Sequence, residues 1–238
     1  MADAGPGVDV DVDGLAASDD DAQASSDAEG GATLDPSLLG WWSFDDLTGA
    51  SVADLSGRGN VAILSGDAVI TQTGTHAKGA VSLSKEGKVD IPSLSGASFP
   101  RTGTLSLWFK WRTMDLPDHV GVFDLWTSDR SHVFLRHANG DVAGHFQVAF
   151  QDSSPGYPFV WGFDVPAETW AHVVITWDEA ALRGAIYVNG AVVAERGYDR
   201  DFAPTGQVVQ LGVDFDGAID ELRLYGRVLG ADEIAALP

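Results

Sequence analysis

Apolar and polar residues alternate with period two in one short run after another, and the runs recur every 8–12 residues or so from Leu38 onward. Thr104-Leu105-Ser106-Leu107-Trp108-Phe109-Lys110-Trp111 reads as a strand, and so does Phe146-Gln147-Val148-Ala149-Phe150. His172-Val173-Val174-Ile175-Thr176-Trp177 is β-branched and aromatic throughout, which predicts a central strand. Ala185–Val188 and Ala191–Ala194 flank Asn189-Gly190, and a type I′ turn needs φ > 0 at both of its central residues, so this pair predicts a hairpin. Further turns are written at Ser56-Gly57-Arg58-Gly59-Asn60 and at Asn139-Gly140-Asp141. Only Gly230–Leu237 reads as helix, with Asp232 and Glu233 in its first turn, where they suit the helix dipole, and a proline at its end. The pattern predicts an all-β antiparallel sandwich of two sheets with one short C-terminal helix.

The first residues do not share this pattern. Residues 1–36 form an acidic leader with about ten carboxylates, no lysine or arginine and no aromatic ring, too few apolar groups to offset the entropy of ordering. It is expected to be a disordered, self-repelling spacer, with a folded domain over residues 37–238. No signal peptide is visible, since Met1 runs directly into Ala2, Asp3, Ala4 and Gly5; the protein is expected either to be cytosolic or to be exported with its signal removed, and the second is preferred.

Composition narrows the chemistry. Of 238 residues, 35 are acidic and 14 basic, for a net charge of −21, a field that repels nucleic acid phosphates and anionic lipid heads. It suits hard cations, calcium among them. The absence of cysteine excludes disulfides, thiolate metal sites and thiol catalysis. No apolar run approaches the roughly 20 residues of a membrane helix, so no membrane insertion is expected.

Three stretches carry a family resemblance. Gly40-Trp41-Trp42-Ser43-Phe44-Asp45-Asp46 is followed by Asp54-Leu55-Ser56-Gly57-Arg58-Gly59-Asn60. Mid-chain comes Trp170–Asp178 and then Ala185–Gly190, and the chain closes with Gly217–Tyr225, Arg227-Val228-Leu229 and the terminal helix. In order and spacing they resemble the laminin G-like group of concanavalin A-type lectin/glucanase jelly rolls. That resemblance implies a two-sheet jelly roll of about a dozen strands with first and last strands adjacent. It also implies a non-catalytic accessory or adhesion role in an extracellular or cell-surface setting, the export signal being absent from this sequence; carbohydrate or glycoconjugate, met by aromatic stacking and by loop carboxylates and amides, is the leading ligand class. A protein-interaction or structural surface domain is the alternative, and a glycosidase or polysaccharide lyase of the same fold a second one.

Members of this group often hold a structural calcium ion in loops near the joined termini. The matching oxygens here are Asp45, Asp54, Asn60 and Asp220, with carbonyls around Gly57 to Gly59. The plainer reading makes Ser56–Asn60 a turn and has Asp220 cap or pair with Arg223. In the leader, Asp9, Asp11, Asp13, Gly14 and Asp20 copy the spacing of an EF-hand loop, but no helices flank them.

For a sugar, the candidate residues are Tyr157 and Trp161, with Asp152 beside them, and Trp126, Asp129 and Arg130 in a neighbouring loop. Gln151–Trp161 reads as a loop carrying rings toward solvent, and the competing reading sends Phe159 and Trp161 into the core. His76, His119, His132, His137, His145 and His172 form no close array, although His132 and His137 are placed to meet across a turn. No Glu-x-Asp-x-x-Glu strand, Gly-x-Ser-x-Gly elbow, Walker loop or dinucleotide fingerprint occurs. Asp220 and Glu221 are adjacent, which in a regular strand sets them on opposite faces.

Overall fold

The computed structural model describes residues 34–75, 78–94, 99–112, 120–127, 132–137, 144–151, 159–197 and 206–238. The leader up to residue 33, its EF-hand-like run and the turn at Asn139-Gly140-Asp141 lie outside the described residues. Among the described residues the chain forms β1 (Leu38–Trp42), β2 (Ser51–Val52), β3 (Ala62–Ser65), β4 (Val69–Thr71), β5 (Ala80–Leu83) and β6 (Lys88–Ile91). There follow β7 (Gly103–Trp111), β8 (Gly121–Thr127), β9 (His132–His137), β10 (His145–Gln151) and β11 (Phe159–Asp164). The last are β12 (Ala171–Asp178), β13 (Arg183–Val188), β14 (Ala191–Gly197), β15 (Gly206–Val213), β16 (Gly217–Tyr225) and the helix α1 (Ala231–Ala235).

These strands make two antiparallel sheets of eight, more than the dozen strands the resemblance implies. The first runs β14-β13-β12-β7-β16-β5-β4, and the second runs β11-β10-β9-β8-β15-β6-β3-β2. The remaining strand of the first sheet, β1, pairs with β16, so the first and last strands are adjacent as expected. One edge of β16 is shared: its first residues face β5, and Leu222 to Tyr225 face β1.

Alternation builds the core. Leu105, Leu107, Phe109 and Trp111 of β7 meet Phe146, Val148, Trp161 and Leu211 from the second sheet, and all are buried. Trp177 is fully buried and stacks on Phe99 at 5.4 Å. Trp42 anchors β1 in the same core and donates its indole N–H to Asn60 O at 2.7 Å. The Asn189-Gly190 turn has φ of 50° and 80°, the positive pair that its sequence predicts.

The outer face of the first sheet is covered by the C-terminal segment. Leu229 and Ile234 pack there on Leu38, Val174 and Tyr225. Beneath them, Thr104 Oγ1 accepts from Leu229 N at 3.0 Å and donates to Arg227 O at 2.8 Å. The helix is shorter than its sequence pattern suggests, ending at Ala235, with Glu233 accepting from Gly230 N at 2.8 Å. Arg227 pairs with Glu233 and with Asp35, joining the helix to the start of the folded chain.

Two local expectations are corrected. Phe159–Asp164 is a strand, not part of a loop, because Phe159, Trp161 and Phe163 alternate with period two and β10 offers a full antiparallel ladder. His132 and His137 are the two ends of one strand, β9, so no turn brings them together.

Candidate functional site

The four residues predicted as metal ligands fall into two pairs. Asp54 serves the loop before β3: Oδ1 accepts from Trp41 N (3.0 Å) and Ser56 N (2.8 Å), and Oδ2 accepts from Asn60 N (2.9 Å). Asn60 in turn donates Nδ2 to Leu39 O at 2.8 Å, so this pair stitches loop to strand β1. The glycines Gly57 and Gly59, at φ of 78° and 79°, allow the turn between them, as a Cβ-bearing residue rarely does.

Asp45 and Asp220 grip a different loop, the one between β4 and β5. Asp45 Oδ1 accepts from Gly79 N at 3.0 Å, with Lys78 Nζ 3.6 Å from Oδ2. Asp220 Oδ2 accepts from both Thr75 N and Thr75 Oγ1 at 2.9 Å. The approach is close enough to require glycine: a Cβ on Gly74 would lie 2.0 Å from Gly79 O and 2.8 Å from Asp220 Oδ2, and one on Gly79 would lie 2.1 Å from Phe44 O.

Asp220 is 2% exposed, and among the described residues it makes no ion pair with a lysine, arginine or histidine. Burial pushes its carboxyl above the usual carboxylate range, Glu221 adds to this, and the Thr75 donors oppose it. Asp220 and Glu221 do not sit on alternate faces as a regular strand would place them. β16 carries an extra residue, so that Asp220 and Arg223 oppose Trp108 and Ser106 on β7, and Glu221 takes a left-handed φ of 52°. Arg223 pairs with Glu221, not with Asp220. Among the described residues no three histidine or carboxylate side chains gather around one point.

The second sheet presents a polar outer face. Gln210 on β15 opposes Asp90 on β6 and Asp124 on β8, and Asp124 opposes Phe134 on β9. One row along, Arg136 on β9 opposes Gln147 on β10, which opposes Gly162 on β11. Their neighbours in sequence, Val89, Leu211, Phe123, Leu125, Leu135, Phe146 and Val148, fill the core, so alternation puts this polar set outside.

The set is half-buried and ordered by its own contacts. Gln210 Nε2 donates to Asp90 Oδ1 at 2.7 Å, and the Arg136 guanidinium lies 3.8 Å from the centre of the Phe134 ring. Burial pushes the Asp124 carboxyl up to about 6, against the pull of the Arg136 charge. At the margin His145 Nδ1 and Asp164 Oδ1 are 2.7 Å apart, and Gly162 leaves the space that the His145 ring occupies.

Of the residues predicted to meet a sugar, Trp161 is 3% exposed and belongs to the core, which removes it from any ligand face. Trp126 lies in β8, two positions beyond Asp124. Asp129, Arg130, Asp152 and Tyr157 lie outside the described residues, but the segments that hold them join β8 to β9 and β10 to β11. The sequence reading missed Asp124, Arg136, Gln147 and Gln210. A signal existed in Val122-Phe123-Asp124-Leu125-Trp126, where a lone charge interrupts an apolar strand.

Residues 83–235 match the laminin G-like profile of the concanavalin A-like lectin/glucanases superfamily. The chain belongs to this superfamily. No curated protein matches it in sequence. Among solved structures it is similar to domain 4 of AbnA, a GH43 extracellular arabinanase from Geobacillus stearothermophilus in complex with arabinotriose. The TM-score is 0.64 at 20% identity, over 84% of this chain and 97% of that one. It is also similar to the receptor binding domain of botulinum neurotoxin C/D mosaic serotype (TM-score 0.67, 17% identity, 84% of this chain, 50% of that one). A third is the binding domain of Paraclostridial Mosquitocidal Protein 1 (TM-score 0.66, 14% identity, 84% and 51%). The chain thus spans about half the length of the toxin domains and nearly all of the arabinanase domain. At these identities the likeness is one of fold, and superfamily membership leaves function to the site. Among the described residues no helix is long and apolar enough to cross a membrane.

Proposed function

We propose that this domain is a non-catalytic binding module for carbohydrate or glycoconjugate, with the outer face of the second sheet as its ligand face. The observation that carries this reading is the half-buried row of Asp90, Gln210, Asp124, Arg136 and Gln147 across neighbouring strands. Planar carboxylate, amide and guanidinium groups at fixed spacing suit the paired hydroxyls of a sugar ring, and a rigid sheet holds them without an ordering cost on binding. The arabinanase domain of the same fold, whose structure is in complex with arabinotriose, supports the choice of ligand class.

A structural calcium ion belongs to the same proposal. Asp45 and Asp220, which grip the described residues Gly79 and Thr75 of the same loop, are the residues that would hold it. What favours this is the buried Asp220 carboxylate, which has Glu221 nearby and no basic side chain on it among the described residues. An extracellular or cell-surface setting, with the acidic leader as spacer, completes the reading.

The test is a glycan array and calorimetric titration with arabinotriose, using the whole chain and its Arg136→Met and Gln147→Ala variants. Binding by the wild type and a loss of about tenfold or more in each variant is the expected result. A flat array would overturn the reading. A second reading, a glycan-active enzyme, is favoured by one observation: the raised carboxyl of Asp124 is suited to proton transfer near neutrality. Release of cleaved product from a bound glycan, abolished by Asp124→Asn, would establish it in place of the first.

A further inference from the structure

We propose that the opposite side of the sandwich carries a second, separate carbohydrate site, in the groove between Trp108, Trp170 and the C-terminal helix. This groove is open to solvent, has a volume of about 510 Å³ and is lined by Trp108, Trp170, His172, Asn189, Ile234 and Leu237, among others. Its volume falls in the range of small-ligand sites, and the flat apolar face of an indole suits the C–H face of a sugar ring.

The strand register explains why the two indoles line one groove. His172 on β12 opposes Trp108 on β7, and the rings stack at 4.9 Å with 13° between their planes. Trp170 precedes β12 by one residue and so shares the outer face with His172. Lys110 stands next along β7 on that face, and its ammonium sits 5.2 Å from the Trp170 ring centre. Trp108 is fixed further by donating Nε1 to Pro238 O at 2.7 Å. His172 is fixed by Ser106 Oγ at 2.8 Å. Both tryptophans remain half-buried, not core-packed, beside a helix that supplies an apolar wall.

The groove also has polar groups of the right kind. Asn189 Oδ1 accepts from His172 N at 2.9 Å, which orients its amide and leaves Nδ2 without a partner among the described residues. The Trp170 indole N–H is likewise without one. Two oriented donors beside two flat rings match a neutral sugar, whose hydroxyls accept while its ring stacks; a purely apolar ligand would leave the donors unsatisfied.

The site is independent of the polar face on the second sheet, and the test separates them. Cellotriose, xylotriose and triacetylchitotriose are titrated into the whole ¹⁵N-labelled protein while the indole N–H signals are followed. The expected result is that at least one sugar shifts the Trp170 indole signal. Trp170→Ala then weakens that binding about tenfold or more, and Arg136→Met leaves it unchanged. Asn189→Asp keeps the acceptor for His172 N–H and tolerates the turn's positive φ, so it should fold normally yet lose affinity with the donor. The proposal is overturned if the Trp170 signal is unmoved by all three sugars, or if Trp170→Ala binds as the wild type does. It is also overturned if Arg136→Met alone abolishes binding, which would leave the other face as the ligand site.

Discussion

Glu221 and Arg223 form an ion pair of 2.8 Å with side chains only 12% and 7% exposed, on either side of the buried residue Leu222 in a bulged strand. The same Glu221 carboxylate accepts the Trp41 indole N–H at 2.8 Å, and the Arg223 guanidinium lies 4.6 Å from the centre of the Trp41 ring. The pair therefore ties the last strand to the first. Among the described residues Arg223 Nη1 is buried without a hydrogen-bond partner, so the guanidinium depends on Glu221 and on the Trp41 ring. Removing the acid in Glu221→Ala leaves a buried, uncompensated cation and should cost about 3–5 kcal/mol. The double replacement Glu221→Gln with Arg223→Met should recover most of that loss. Urea denaturation of the three proteins checks both, and equal stability of the single and double variants would contradict the account.

The acid on the other face yields a pH prediction. Asp124 holds its proton up to about pH 6 in the folded protein, against an ordinary value of 3.8. Between these values the native state binds more protons than the unfolded chain. The contribution of this group to stability is thus greatest below pH 4 and falls as pH rises through 6. Asp124→Asn should raise stability by on the order of 2 kcal/mol at pH 7 and by little at pH 4. Melting curves of both proteins from pH 4 to 8 would show the gap opening, and a constant gap would count against a raised carboxyl.

Gly79 offers a steric test of the loop around Asp45 and Asp220. A methyl group there would meet the Phe44 carbonyl and the Asp45 Cα at 2.1 and 2.6 Å, both backbone atoms that cannot step aside. Gly79→Ala should therefore shift the loop, break the Gly79 N–Asp45 bond and cost about 2–4 kcal/mol. Gly57→Ala is the control: its added Cβ meets nothing within 4 Å, so only the strain of its φ of 78° remains, about 1 kcal/mol. Comparable losses in both variants would argue against close approach as the reason for glycine at 79.

What could be read from the sequence follows the range of each interaction. β7, β10, β12 and the Asn189-Gly190 hairpin announce themselves because period-two burial and turn chemistry are local properties. Trp161 carried the same local signal, with Phe159 and Phe163, but the Pro155-Gly156 and Pro158 breakers beside it made the strand resemble a loop. The polar row is different in kind. Asp124 and Gln210 meet only because β15 inserts between β8 and β6, a pairing of strands distant in sequence that no local pattern encodes. The bulge at Glu221 was equally hidden, since glutamate gives no hint of a positive φ. It is this bulge that turns the expected Asp220–Arg223 pair into Glu221–Arg223, leaving Asp220 to Thr75.

The proposed calcium ion makes a prediction that the carboxyl of Asp220 sharpens. If a cation binds there in the native state alone, it stabilises the fold by about 2.7 kcal/mol at a hundred times its dissociation constant. It must also compete with the proton, because burial and Glu221 raise the affinity of Asp220 for that proton. The melting midpoint should therefore rise with added calcium at pH 7.5 and fall back with a chelator, and the rise should shrink as pH is lowered toward 4. Asp220→Asn should abolish the calcium response while keeping one acceptor oxygen for Thr75, whereas Asp54→Asn, in the separate loop pair, should lower stability and leave the calcium response in place. A midpoint indifferent to both calcium and chelator would remove the ion from the account. A response lost in Asp54→Asn but kept in Asp220→Asn would move it to the Asp54–Asn60 loop.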